Sequence, residues 1–169
     1  MTKKNNLQIV PLDQIPKANE VPTDNLVDIF RLVTQLEDIC VKQDGIGISA
    51  AQVGIPWKLF IIQRDTSFEY YVNCTYEGIG GKFKSIEGCL SLRDKFGELR
   101  RFEVERYSKV RITGKRLKIS DSPSIILEDI DQIENDLYAV VFQHEIDHHF
   151  QREKMIDIIG KEIELIQRL

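Results

Sequence analysis

The sequence predicts an α+β fold in a single domain. Strand-like apolar segments crowd the middle of the chain, between Trp57 and Leu127. Segments with helical apolar spacing flank them, one starting near Leu26 and one near Asn135. No repeat, linker or low-complexity tract divides the 169 residues, a length close to the roughly 150 of one domain and enough to bury roughly two thirds of the unfolded surface.

Met1 to Asn6 is polar and basic and is expected to be a flexible tail, with residues 7–169 forming the domain. Leu7 to Val21 is broken by Pro11 and Pro16, with Pro22 following, and reads as an extended segment wrapping the domain. Thr23 and Asp24 are good N-cap types ahead of a helix whose apolar stripe is Leu26, Ile29, Phe30, Val33, Leu36 and Cys40. That stripe makes Cys40 a packing residue. Asp44-Gly45 is expected to stop the helix near Gln43, with Gly45 in the left-handed conformation.

Trp57 to Gln63 and Tyr70 to Asn73 have the length and β-propensity of a hairpin. Gly78, Gly80 and Gly81 mark a loop before a strand over Phe83 to Leu92. Short strands follow at Phe102 to Tyr107, Lys109 to Thr113 and Arg116 to Ile119, with Gly114-Lys115 as a tight turn. Pro123 breaks the pattern, and Ile125 to Leu127 adds a strand. Asn135 to Phe150 is a second helix, with Leu137, Val140, Val141 and His144 on one face, and Lys161 to Leu169 a third after Gly160.

The composition, 42% apolar and 30% charged, excludes disordered, collagenous and coiled-coil chains. Apolar runs such as Leu59 to Ile62 are too short for a membrane span or a signal peptide, so a cytoplasmic protein with no membrane partner is expected. With 23 basic and 27 acidic residues the formal charge is −4, which argues against binding nucleic acid over the whole surface or by sequence. The charge is uneven, however. Arg93 to Lys118 holds ten basic against four acidic residues, whereas Asp121 to Asp136 holds six acidic residues and none basic. Solvated strand edges are the plain explanation, and a basic rim for RNA or another anionic partner is the alternative.

Chemistry concentrates in three segments. His144-Glu145-Ile146-Asp147-His148 is an H-E-x-x-H pentad, which on a helix stacks both histidines on one face within reach of a single metal ion. Glu145 is then placed as general base for water. Cys89, in Glu87-Gly88-Cys89-Leu90-Ser91, is the candidate third ligand, because Gly88 permits close backbone approach and a metal would keep the thiol as thiolate. Cys74 has no glycine or acid beside it and reads as a small buried hydrophobe. Three cysteines without a secretion signal form no disulfide framework. Gly45-Ile46-Gly47-Ile48-Ser49-Ala50-Ala51-Gln52 lacks the third glycine of a dinucleotide fingerprint, but its small residues let a main chain lie against a ligand, and Gln52 ends it with an amide donor.

Together, in this order, the three segments resemble the motifs of the peptide deformylase family, G-x-G-L-A-A-x-Q, E-G-C-L-S and H-E-x-D-H, with Ile48 for Leu and Ser49 for Ala in the first. The resemblance implies mixed short antiparallel strands around a central metal-binding helix. It implies one divalent ion on Cys89, His144 and His148, natively Fe(II), with Zn(II), Ni(II) or Co(II) able to replace it. Glu145 would be the general base, and Gln52 with the backbone N–H of Leu90 would hold the oxyanion. The substrate would be a formyl-methionyl peptide, releasing formate and running as an added strand beside Ile46, Gly47 and Gly88. Ile125 to Ile130 with Val140 and Val141 are candidates for the methionine pocket. Asp147 and Glu87 would support the ligands, paired with Arg100 or Arg101.

His149, Gln151 and Arg93 depart from the family's usual Leu, Gly and Pro. His149 is expected at a solvated rim, about 100° round the helix from His148. Arg93 and Phe96 are expected on the rim of the peptide groove. The source is open between a bacterium, a phage-infected cell and an organelle. Two other functions stay open: an H-E-x-x-H metalloprotease, and a non-catalytic module binding nascent chains or the ribosome through the basic segment or last helix.

Overall fold

The structure, a computed structural model, describes residues 7–119 and 124–150, the last by its backbone alone. The expectations for Met1 to Asn6, Pro123, Gln151 and the helix after Gly160 lie outside these residues.

The apolar run of β2 (Leu59–Arg64) explains the layering. Leu59 and Ile61 pack with the buried stripe of α1 (Leu26–Lys42), whereas Phe60 and Ile62 pack with Ala139, Phe142 and Ile146 of α2 (Asp136–Phe150). Alternate side chains thus enter two different cores, which is why no polar residue interrupts the run. β2 lies between β1 (Gly47–Ser49) and β3 (Ser67–Gly78) in a five-stranded antiparallel sheet ordered β1-β2-β3-β6-β7, with β6 spanning Lys109–Ile119 and β7 Ile125–Asn135. A separate two-stranded sheet pairs β4 (Lys82–Arg93) with β5 (Leu99–Tyr107). Between the two, Cys89 packs with Phe102, Val104, Ala51 and Leu12 of the N-terminal segment. That segment is extended apart from one 3₁₀ turn at Leu12–Gln14, and Asn19 bridges Trp57. No described helix is long and apolar enough to cross a membrane.

Several local expectations are corrected. Asn25, not Thr23 or Asp24, caps α1, its side chain accepting from the Asp28 N–H at 3.2 Å. Leu32 is buried on the helix while Phe30 is exposed. At the other end Asp44 takes the left-handed conformation (φ 53°), and Gly45 serves contact instead, since a methyl there would lie 3.1 Å from Leu90. The strands β3 to β7 run 9 to 12 residues and are not short.

Gly114-Lys115 makes no turn: β6 runs through it. The β3–β6 register shifts between Val72 and Thr75, and Gly114 faces that bulge at φ 150°. A methyl on Gly114 would fall 2.6 Å from Cys74 Sγ, so the glycine answers a close approach of two strands.

Candidate metal centre and active site

α2 positions the histidines. Residues 141–149 are all buried, so the helix is enclosed on every side there and a polar side chain left without a partner is costly. His144 and His148 lie on one face and meet edge to face, with ring centroids 5.0 Å apart. Cys89 comes from β4, where pairing with β5 lapses between Gly88 and Arg93 and releases the intervening segment from the ladder. Ligand atoms of Cys89, His144 and His148 all lie within 4.8 Å of one another, with Cys89 Sγ 3.5 Å from His148 Nε2.

The donor set fits a metal ion. One sulfur and two imidazoles form a three-ligand set of the kind that leaves a position open for chemistry. His144 Nδ1 is 2.8 Å from Glu87 Oε2, which turns the other ring nitrogen toward Cys89. Burial drives the His148 pKa well below its ordinary value, helped by the charges of His144, His149 and Arg106, so its ring is neutral as a ligand requires. Burial opposes a charge on His144, but hydrogen bonds to Cys89 and Glu87 outweigh it and hold its pKa well above the ordinary value.

Glu145 is 3% exposed, and burial pushes its carboxyl up to about 7, with His144 opposing the rise and Glu87 adding to it. A carboxylate tuned to neutrality suits proton transfer. Its Oε2 has no hydrogen-bond partner among the described residues, and the side chain meets Gly47. Gln52 is fixed within a capped 3₁₀ turn (Ala50–Val53): its Oε1 accepts from the Ser49 N–H at 3.0 Å. Its amide nitrogen is thereby aimed at Ser91 Oγ (3.2 Å) and Cys89 Sγ (3.6 Å).

Gln52, Glu87, His144 and Glu145 border one cavity of about 360 Å³, which Ile46, Gly47, Gly88 and Leu90 also line; Cys89 and His148 join the group through His144 and are not part of the lining. Leu137, Val140 and Val141 supply apolar wall; Ile125 to Ile130 do not line it, Ile125, Leu127 and Ile130 packing against the two cores instead and Ile126 being exposed. Arg93 lies in a different cleft, of about 740 Å³, between α1 and the N-terminal segment, and donates to Gln43 at 2.7 Å. Phe96 stands exposed at the β4–β5 connection and lines neither cavity.

The sequence brought Glu87 and Asp147 to the site but assigned them the wrong arginine. Their partner is Arg106, 2% exposed on β5: Nε and Nη2 reach the two Glu87 oxygens at 2.8 and 2.9 Å, and Nη1 reaches Asp147 Oδ2 at 2.6 Å. Strand alternation was the available signal, because Arg106 shares the inward side with Phe102 and Val104. Arg101 lies on the outer side over Gly88. Although burial opposes it, hydrogen bonding from His144 and Arg106 holds Glu87 down to about 2.

His149 is buried and not solvated. Its ring lies 5.6 Å from that of Phe60, its carbonyl accepts from Ala18, and burial drives its pKa down to about 3 against a contact with the Leu59 backbone. It is not in the ligand group.

The polypeptide deformylase family model matches residues 14–152. The chain belongs to the polypeptide deformylase family. It is 31% identical over 130 residues to a peptide deformylase of Nautilia profundicola, covering 72% of this chain and 67% of the relative. To that of Hyphomonas neptunium it is 30% identical over 151 residues, covering 79% and 78%. The Met-Ala-Ser-bound peptide deformylase of Acinetobacter baumannii shares the deformylase fold, with a TM-score of 0.67 at 21% identity over 85% of this chain and 92% of that one. The α+β architecture is thus a deformylase architecture, built from longer strands than expected.

Proposed function

We propose that this chain is a metal-dependent hydrolase that removes the formyl group from the N-terminal formylmethionine of nascent polypeptides and releases formate. The observation that carries the reading is the Cys89, His144 and His148 cluster, whose His144 borders the same cavity as Glu145 and Gln52. Cys89, His144 and His148 hold one divalent ion, natively Fe(II), with Zn(II), Ni(II) or Co(II) as replacements. Such an ion supplies Lewis acidity, polarising the formyl carbonyl and acidifying water.

The peptide lies extended beside Ile46, Gly47 and Gly88, with its methionine side chain toward Leu137, Val140 and Val141. Glu145 accepts a proton as water adds to the formyl carbon. It returns that proton to the amine nitrogen as the C–N bond breaks, and its pKa of about 7 supports both transfers. The Gln52 amide and the Leu90 N–H donate to the oxyanion that develops. Glu87 orients His144, and Asp147 anchors the same helix. The peptide-bound Acinetobacter baumannii relative supports a peptide substrate.

The test is formate release from formyl-Met-Ala-Ser by protein loaded with Fe(II) or Ni(II). Turnover that chelation abolishes and Glu145→Gln nearly abolishes is expected. A loaded, folded protein that releases no formate overturns the reading, and full turnover by Glu145→Gln overturns the assigned base.

A further inference from the structure

We infer that Arg106 is a positioning residue of the metal centre, setting the separation between the strand that carries Cys89 and the helix that carries the two histidines. This rests on the reading that those three residues hold an ion.

The inference follows from where the guanidinium's hydrogen bonds end. Two go to Glu87, which stands two residues before Cys89 on β4 and is buried as Cys89 is. One goes to Asp147, which directly precedes His148 on α2. Glu87 Oε2 is shared between Arg106 and the His144 ring, so the atom that orients the first histidine is itself oriented by the arginine. Tyr76 of the five-stranded sheet donates to the other Asp147 oxygen at 3.0 Å, extending the chain of bonds across both sheets.

A planar fork is needed here, since only a guanidinium meets one carboxylate with two parallel bonds and a second carboxylate with a third. Arg106 is also the cation that lets Glu87 and Asp147 be buried together. Without it their repulsion would push β4 and α2 apart along the line on which Cys89 faces His148.

The experiment measures Co(II) affinity by chelator competition on the full-length chain, together with the thiolate-to-cobalt absorption band. Arg106→Gln should bind Co(II) on the order of 10- to 100-fold more weakly than wild type, the range typical of removing such outer support, with a weakened or shifted band. Arg106→Gln/Asp147→Asn removes one of the two stranded carboxylates and serves where the single variant does not fold. At a metal-free melting temperature matching wild type it should still bind weakly, because Glu87 has lost its fork.

Wild-type affinity and band in either folded variant overturn the inference, as does a wild type that takes up no Co(II). A wild type that binds Co(II) with the expected band but releases no formate overturns the deformylase reading and leaves this one standing.

Discussion

Gly47 and Glu145 are in contact such that a methyl group on the glycine would stand 2.9 Å from the carboxylate Oε1. The Ile61 carbonyl oxygen stands 3.1 Å from the same point. Gly47→Ala must therefore displace the proposed base. A displacement near 1 Å costs about 10²-fold in rate, so kcat/KM for a formyl-methionyl peptide should fall by about that factor. Metal content should not change, since no ligand is touched, and elemental analysis beside the kinetic assay checks both.

Gln52→Ala should lower kcat by about 10²- to 10³-fold while leaving KM within a few-fold, the pattern of a donor used chiefly in the transition state. Ser49→Ala removes the hydroxyl of the same capped turn but leaves the backbone N–H that holds Gln52 in place. It should lose far less. Equal losses in the two variants would mean that the turn, and not the amide, matters.

Gly114→Ala should destabilise the fold by about 2–3 kcal/mol, because the methyl would overlap Cys74 Sγ and Cα in a backbone conformation that side chains rarely adopt. Lys115→Ala next to it removes only a surface ion pair and should stay within about 1 kcal/mol. Thermal melts of the two compare a bulge with a turn directly.

Cys40 and Cys74 should resist alkylation in the native protein. Burial pushes the Cys40 thiol up to about 12, with Glu145 adding to it, and pushes Cys74 up to about 12 against backbone hydrogen bonds. At about pH 8 some 10⁻⁴ of either is thiolate, and only the thiolate reacts. Mass spectrometry after iodoacetamide treatment should find both unmodified until the chain is unfolded.

Alkali should act through tyrosines. Burial raises the pKa of Tyr70, Tyr71 and Tyr76, and each is raised further by the carboxylate it donates to: Glu37, Glu69 and Asp147 respectively. A group whose pKa is raised on folding contributes its full stability below its unfolded value, here about 10, and loses it as pH climbs through the folded value. Native protein at about pH 11 should show fewer ionised tyrosines by absorbance than the five the unfolded chain contains, and stability should decline as the remainder titrate.

The two histidines and Gln52 were legible because their geometry is local, whereas Cys89, 59 residues from His148, was legible only through its motif. Helical spacing alone sets His144 over His148, and Gln52 is fixed by a residue three positions away. Arg106 was not legible by that route. It meets Glu87 across 19 residues and Asp147 across 41, distances over which sequence spacing carries no geometry. His149 failed for a different reason: turning 100° away from the ligands means facing water only on a surface helix, and α2 has no wet side over residues 141–149. The Gly114 turn failed because an isolated glycine in a strand pattern fits a turn and a close backbone approach alike, and only the partner strand distinguishes them.

The β6 part of the basic stretch and the acidic residues of β7, which looked like separate patches along the chain, are antiparallel neighbours. Arg111 pairs with Asp131, Lys115 with Asp129, and Arg116 and Lys118 with Glu128. Seen from one Debye length away, about 8 Å at physiological salt, each couple is a small dipole whose field has largely faded. A polyanion drifting past these pairs would therefore feel little pull from them, and would have to displace a carboxylate to engage any of the four cations.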